Sequence, residues 1–163
     1  RDDVESRGLG DVYKRQKQVS AKKREELYDE IKEKAVSVGI GMSSPARIDE
    51  INILQATYEA MQHAVEDLDV VPDLLLNDAV TIPLIPIRQV GIIKGDARSL
   101  SIAAASIMAK VTRDRMMVEY AELYPEYGFE KNKGYGSAEH REALKKYGPC
   151  PIHRSTFIHN WIS

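Results

Sequence analysis

The sequence predicts an α/β domain, because short apolar runs of strand length alternate with longer segments of helical period. Three runs have the apolar character of strands: AVSVGIGMS at 35–43, VVPDLLLNDAV at 70–80 and QVGIIKGD at 89–96. Helical segments separate these runs, and a chain of 163 residues has the size of one such domain.

Two helices are predicted in the first half of the chain. Ser20 is placed to cap a helix over AKKREELYDEIKEKA, and Ser44 with Pro45 begins a second one through ARIDEINILQATYEAMQHAVEDL. The apolar stripe of the first helix consists of Leu27, Ile31 and Ala35.

Two further helices are predicted in the second half. One runs from about Arg98 to Tyr120, and its predicted buried face consists of Leu100, Ala103, Ala104, Ile107, Val111 and Val118. Ser137 caps the last helix, which ends before Gly148. The Pro-rich stretch IPLIPIRQ is expected to be a connection or a sheet edge.

The composition is that of an ordinary globular protein, with 43% apolar and 29% charged residues. No apolar run approaches the roughly 20 residues that span a bilayer, so no membrane partner is expected. Cys150 is the only cysteine, which excludes an intrachain disulfide. A reducing cytoplasm is therefore the expected location.

The charge is unevenly distributed along the chain, although its formal net value is only −2. Residues 1–93 hold 12 Lys and Arg against 17 Asp and Glu, whereas residues 94–163 hold 11 against 8. Such an asymmetry is weak evidence for a polyanionic partner when it stands alone.

The first segment differs from the rest. Residues 1–16, RDDVESRGLGDVYKRQ, mix charges and glycines without apolar periodicity, which predicts a loose segment. We interpret it as foreign to the fold, either a tag or a junction; a native disordered tail is the alternative. The predicted domain covers residues 17–163.

Asp114 occupies an unusual position on the predicted helix. At about 100° per residue it lies about 20° from Ile107, in the middle of the apolar stripe. A buried carboxylate needs a cation or hydrogen-bonding partners. A salt bridge to Lys110 or to an arginine would satisfy it structurally; the functional alternative is a metal ligand or a catalytic base.

Asp78 ends the apolar run DLLLND, and strand ends in α/β sheets border the crevice in which ligands bind. A turn-forming aspartate is the structural alternative. If Asp78 and Asp114 meet across that crevice, their oxygen ligands suit Mg²⁺ or Mn²⁺, and a pair of such ions is the usual apparatus of phosphodiester cleavage.

Two segments have residues suited to nucleic acid. KNKGYGS places Lys131, Lys133 and Tyr135 in a glycine-containing loop before a helix, where the lysines can neutralise a phosphate and the ring can stack on a base or sugar. Lys94, Arg98 and Ser101 offer a second phosphate cradle. A surface turn and ordinary helix capping are the respective structural alternatives.

These residues lie in longer motifs that closely resemble the bacterial ribonuclease HII family. The longest motifs are KGDARSLSIAAASIMAKVTRDRMM, YPEYGFEKNKGYGSAEHREAL and GPCPIHRSTF, in the family's order and spacing. The same family fits QVSAKKREELYDEI, DEINILQATYEAMQHAV and PDLLLNDAV, the last of which contains Asp78. The resemblance covers residues 17 to about 157. It implies a ribonuclease-H-like fold, in which helices flank a mixed sheet.

The resemblance also implies an activity. Members of the family cleave the RNA strand of RNA–DNA hybrids and nick at ribonucleotides embedded in duplex DNA, using Mn²⁺ or Mg²⁺. Asp78 and Asp114 are similar to the third and fourth acidic residues of the family's metal site. Tyr135 is similar to the family's tyrosine that packs on the sugar at the RNA–DNA junction. A monomer is expected.

One departure from the family pattern is clear. The family's first strand carries an Asp-Glu-Ala-Gly-Arg-Gly motif with two further carboxylates, and this motif does not occur here. The chain therefore resembles an N-terminally truncated member that lacks its first strand or strands, and we expect it to be nearly inactive as given.

Three functions remain open from the sequence: a metal-dependent endoribonuclease, an inactive fragment that still binds nucleic acid, and a structural or protein-binding α/β module.

Overall fold

The structure, a computed structural model, describes residues 20–162, without the side chain of Ile162. The predicted non-family segment 1–16 lies outside the described residues. The described chain divides into two units, residues 20–41 with 61–111 and residues 42–60 with 112–162. No helix within these residues has both the length and the apolar character needed to cross a membrane.

The described chain has eight α-helices, two strands and one short 3-10 turn. In chain order the elements are α1 (Ala21–Lys34), α2 (Pro45–Ile51), α3 (Ile53–Glu66), β1 (Leu74–Asp78), β2 (Arg88–Ile92), α4 (Gly95–Arg98), α5 (Leu100–Leu123), the 3-10 turn Pro125–Tyr127, α6 (Phe129–Asn132), α7 (Ala138–Tyr147) and α8 (Ser155–Ile162).

Helix α1 begins as predicted, since the Ser20 hydroxyl accepts a hydrogen bond from Lys23 N at 3.2 Å. Leu27 and Ile31 are buried, whereas Ala35 lies beyond the helix and is exposed. Both side chains belong to the core of the first unit, whose buried members are Leu27, Ile31, Ala103, Ile107, Met108 and Val111.

The two strands pair in parallel, with Leu74 opposite Arg88 and Asp78 opposite Ile92. Gln89 fixes the Pro-rich connection between them: its Oε1 accepts from Ile82 N at 2.7 Å, and its Nε2 donates to Ile82 O at 2.9 Å. The α/β class is thereby confirmed, and within the described residues the sheet consists of this parallel pair.

The predicted strand at 35–43 is wrong, because the segment is irregular. Ile40 N donates to Asp67 Oδ2, and the Ser37 hydroxyl accepts from Asp69 N, so side chains supply these contacts in place of a strand partner. Gly39 also packs so closely on α3 that a Cβ there would lie 2.1 Å from Ala64 O. Val38 packs against the core of the first unit, whereas Val36 and Met42 are 90% and 58% exposed. Within the described residues this alternation is therefore not used for strand pairing.

The long helix predicted after Pro45 is interrupted at Asn52, which has φ 73° and ψ 166°. Asn52 ends α2 and caps α3, since its Oδ1 accepts a hydrogen bond from Gln55 N at 3.1 Å. The apolar period continues across the break, which is why the sequence pattern did not reveal it.

Helix α5 confirms the central part of the predicted buried face. Ile107 and Val111 are 1% and 2% exposed, and Ala103 is also buried. Leu100 and Val118, at 48% and 43% exposure, were predicted incorrectly. Their places in the interior are taken by Ile102 and Met117.

The core of the second unit is built around two aromatic rings, Tyr127 and Phe129, which stack at 5.3 Å. Its buried members are Met117, Tyr127, Phe129, Ala143, Leu144 and Ile158.

Helix α7 begins after the predicted Ser137 cap and ends before Gly148. Helix α8, which was not predicted, begins where Asp49 accepts from Ser155 N at 2.9 Å and from the Thr156 hydroxyl at 2.5 Å. The Thr156 bond lowers the pKa of Asp49.

Substitutions of Asn52 test the break between α2 and α3. Asn52→Ala should lower the free energy of unfolding by about 1 kcal/mol, because it removes the cap and keeps a side chain at positive φ. Asn52→Gly should raise it by about 1 kcal/mol, because relief of backbone strain exceeds the loss of the cap. Urea unfolding measures both changes.

The matched control is Ala46, an exposed residue inside α2. There the order should invert, since Ala46→Gly should destabilise the chain by about 1 kcal/mol. If alanine at position 52 proves as stable as glycine, the proposed backbone constraint at Asn52 is wrong.

Candidate functional site

Asp78 is exposed at the carboxyl end of β1, as predicted. One carboxylate oxygen, Oδ1, accepts a hydrogen bond from Gly95 N at 2.9 Å. Among the described residues, Oδ2 accepts no hydrogen bond. The carboxylate is thus held by one oxygen and presents the other outward.

Gly95, the donor of this hydrogen bond, is buried and closely packed. A Cβ at this position would lie 2.6 Å from Ile102 Cδ1, and at 3.4 Å, an ordinary contact distance, from both Cα and Oδ1 of Asp78. The absence of a side chain therefore leaves room for Ile102 beside the N–H that binds Asp78. The sequence analysis missed this residue, although its position directly after an apolar run and before a small-residue helix was a usable signal.

The predicted phosphate cradle of Lys94, Arg98 and Ser101 begins one residue before Gly95, the backbone partner of Asp78. Lys94 is exposed and has φ 53°, so its left-handed backbone starts the turn into α4. Arg98 and Ser101 are exposed as well. Arg98 Nη1 lies 3.5 Å from Ile93 O, and the Ser99 hydroxyl accepts from Ile102 N. The unit therefore presents two cations and one hydroxyl after β2, while Ser99 caps α5.

Asp114 lies on α5 on the same helical face as the buried Ile107, and it is partly buried. It interacts with other groups of the protein and is not an isolated carboxylate. Asp114 belongs to the second unit and Asp78 to the first. Their convergence on one cation therefore stays a prediction.

Tyr135 is exposed over 67% of its surface, which agrees with its predicted role outside the core. The ring nevertheless has a partner within the protein. The Arg113 guanidinium lies 5.2 Å from the centroid of its ring, and Arg113 Nη1 donates to Lys133 O at 2.7 Å. Arg113 was not among the predicted residues, although it stands beside Asp114 in the sequence.

The loop that carries Tyr135 has a defined backbone. Lys133 and Gly134 both have positive φ, at 51° and 84°. Asn132 Oδ1 accepts from Gly134 N, and Asn132 O accepts from Tyr135 N. Gly136 lies against Trp161, since a Cβ there would come within 2.6 Å of the indole ring. The loop is thus preorganised, with Lys133 partly exposed and the Tyr135 ring outward.

Within residues 20–162, no group of three or more His, Cys, Asp or Glu side chains could hold a metal ion together. The described ligand candidates are therefore the two carboxylates singled out from the sequence. Their hard oxygen atoms, and the outward Oδ2 of Asp78, fit an ion such as Mg²⁺ or Mn²⁺.

Comparison with known proteins gives a consistent result. The family model for ribonuclease HII matches residues 8–160. The ribonuclease HII of Lachnoclostridium phytofermentans is 71% identical over 147 residues, which are 90% of this chain and 58% of that protein. The ribonuclease HII of Bacillus subtilis is 59% identical over 141 residues, covering 86% of this chain and 55% of that protein.

The fold is also similar to a solved structure. The crystal structure of the ribonuclease H2 from Pyrococcus horikoshii OT3 superposes with a TM-score of 0.72 at 25% identity, covering 95% of this chain and 79% of that chain. The chain spans less than two thirds of the length of the curated relatives it matches. With the family model matching nearly the whole sequence, the chain belongs to the ribonuclease HII family.

Proposed function

We propose that the protein is a divalent-metal-dependent endoribonuclease that cleaves the RNA strand of RNA–DNA hybrids and nicks at ribonucleotides embedded in duplex DNA. The family match over residues 8–160 is the observation that carries this proposal. The outward carboxylate of Asp78, at the end of a parallel strand, supports it independently.

Asp78 and Asp114 would hold the metal. A bound Mn²⁺ or Mg²⁺ would polarise the scissile phosphate and lower the pKa of a bound water. The chain's own contribution is orientation: the Gly95 N–H fixes Oδ1 of Asp78, so the direction of Oδ2 is set before any ion arrives. Oxygen ligands suit both ions, and we propose that either supports the reaction.

The nucleic acid would meet two sets of residues, one on each unit. Lys94, Arg98 and Ser101 would contact phosphates along the first unit. In the second unit Lys133 would neutralise a phosphate while the Tyr135 ring packs on a sugar or base. The exposed positions of Tyr135, Lys94 and Arg98 support these roles. We further propose that the protein acts as a cytoplasmic monomer.

A second candidate is nucleic-acid binding by this chain without cleavage. The observation in its favour is that the candidate nucleic-acid contacts Tyr135, Lys94 and Arg98 are exposed. Two-metal cleavage needs ligands that fix both ions. Incubating the chain with a duplex that contains one ribonucleotide, with and without Mn²⁺, separates the two: nicking supports the first, and salt-dependent binding without nicking supports the second.

The metal assignment predicts a loss of Mn²⁺ affinity in Asp78→Asn. The neutral amide removes one anionic ligand, so affinity should fall at least about tenfold, equivalent to about 1.4 kcal/mol. Electron paramagnetic resonance of free Mn²⁺ measures the change. If Asp114 holds the same ion, Asp114→Asn should also weaken binding, and the double variant should lose less than the sum of the two.

The matched control is Asp73→Asn, at an exposed aspartate just before β1. It should bind Mn²⁺ as the original chain does. Unchanged affinity in Asp78→Asn, or strictly additive losses in the double variant, would contradict a shared ion.

The nucleic-acid assignment predicts that Tyr135→Ala weakens hybrid binding by about 1–3 kcal/mol, the usual range for a lost stacking contact. Fluorescence anisotropy with a labelled RNA–DNA hybrid at fixed salt measures the change. Tyr147→Ala is the control, because Tyr147 is also exposed, at 51%, and lies at the end of α7. Equal losses in the two variants would argue against a specific role for Tyr135.

A further inference from the structure

Two histidines form a direct contact inside the second unit. His140, on α7, is 1% exposed, and its Nε2 lies 2.8 Å from Nε2 of His153. The outer nitrogens of the pair also have partners. His140 Nδ1 lies 2.8 Å from Tyr135 O, and His153 Nδ1 lies 2.9 Å from Cys150 N. All four imidazole nitrogens are therefore engaged in one chain of hydrogen bonds.

The two outer partners determine where the protons are. Cys150 N–H can only donate, so Nδ1 of His153 must be an acceptor without a proton. The carbonyl of Tyr135 can only accept, so Nδ1 of His140 must carry a proton. The contact between the rings then needs one proton, donated by His153 Nε2 to His140 Nε2. Each imidazole is neutral, and the two rings have opposite tautomers.

Aromatic side chains enclose the pair. The ring of Tyr127 lies 4.9 Å from that of His153, Phe129 lies 5.5 Å from His140, and Trp161 lies 5.8 Å from His140. Hydrogen bonds in such surroundings are strengthened by the low local dielectric. An unmatched polar atom there is correspondingly costly.

The chain of hydrogen bonds ends at the backbone carbonyl of Tyr135. The ring of this residue is exposed, and its proposed role is to pack on the substrate. Arg113 also donates a hydrogen bond to this loop, at the carbonyl of Lys133, two residues before Tyr135. The Tyr135 carbonyl also accepts from Ser137 N at 2.9 Å, and the Tyr135 N–H donates to Asn132 O. Besides these local bonds, the loop is held by Arg113 of α5 and His140 of α7.

We propose that His140 and His153 are positioning residues: their neutral relay, running from Cys150 N to Tyr135 O, fixes the Tyr135 loop in the orientation in which the ring meets nucleic acid. The relay is a property of the fold, whereas its consequence for binding rests on the proposed function. Neither histidine touches the substrate.

The relay is sensitive to acid for a geometric reason. An added proton can enter only at His140 Nε2 or at His153 Nδ1, and each of these atoms already faces an N–H donor. Protonation therefore breaks one bond of the relay. Burial, followed by the neighbouring His140, lowers the pKa of His153 from 6.5 to about 4.

The other titratable groups against the pair are Tyr127 and Cys150. Burial raises the pKa of both, so both are neutral at physiological pH. Glu126 is the charged group that acts on both of them. Because the unfolded chain protonates His153 near pH 6.5 and the folded chain only near pH 4, stability conferred by the neutral pair is present above about pH 6.5. It declines as the pH falls from there toward 4.

The first test is nuclear magnetic resonance of the whole chain with ¹⁵N-labelled histidine at pH 7. We expect His140 as the Nδ1–H tautomer and His153 as the Nε2–H tautomer, both slow to exchange with solvent. The same tautomer on both rings, or a positively charged ring at pH 7, would overturn the relay. No nucleic acid is needed, so this result does not depend on the proposed function.

The second test follows Trp161, the single tryptophan of the chain, which contacts both His140 and Gly136. Its fluorescence should change in one step near pH 4 as the relay breaks. His63→Gln and His159→Gln, at exposed histidines, should leave that step in place, whereas His153→Gln should remove it. A transition near pH 6.5 that survives His153→Gln would overturn the assignment.

The third test asks whether the relay positions Tyr135. In His153→Phe, which fills the site without hydrogen bonds, the Tyr135 amide should exchange with solvent faster, and hybrid affinity should fall about fivefold to tenfold. His153→Gln should restore part of both. If the original chain binds no hybrid, the proposed function fails while the exchange measurement still decides the relay. Unchanged exchange in a folded His153→Phe variant would overturn the positioning role.

Discussion

The helical period of α5 is the constraint on which the rest of the structure depends. Over 24 residues it places Ile107 and Val111 in the core of the first unit and Met117 in the core of the second. The same period brings Asp114 onto the face of Ile107 and directs Arg113 toward the Tyr135 loop. One helix thereby supplies core contacts, a candidate metal ligand and an anchor for a candidate nucleic-acid contact.

The two candidate carboxylates are supported in different ways. Asp78 is exposed and receives one backbone hydrogen bond from Gly95, a residue whose lack of a side chain leaves room for Ile102. Asp114 is partly buried, on the face of α5 that also carries the buried Ile107. A backbone hydrogen bond restricts the motion of the Asp78 carboxylate, and a helix position restricts that of Asp114. A metal site with few ligands needs such restriction, because the positions of its carboxylates must be fixed before the ion binds.

The second unit combines an apolar core with a polar interior chain. Tyr127, Phe129 and Trp161 enclose His140 and His153, whose nitrogens are all satisfied. A fully satisfied buried network specifies one packing arrangement, because every alternative leaves a polar atom without a partner. The network ends at the carbonyl of Tyr135, so it restrains the backbone of a residue whose ring is exposed at the surface.

Much of the local structure was determined by the sequence itself. The caps at Ser20 and Ser137, the strand ending at Asp78 and the buried positions Ile107 and Val111 depend on nearby residues and on a fixed period, and the structure has them as predicted. Tertiary structure decided the rest. Residues 35–43 have a strand pattern but are irregular, with Gly39 packed against α3. Asn52 breaks a helix whose apolar period continues, and Met117 replaces Val118 in the interior because the aromatic core lies on its side. Arg113 and the pair His140 and His153 acquire their roles from partners 13 to 20 residues away in the chain, and no local pattern encodes such contacts. Gly95 has its partner 17 residues away, although its position after an apolar run was a usable local signal.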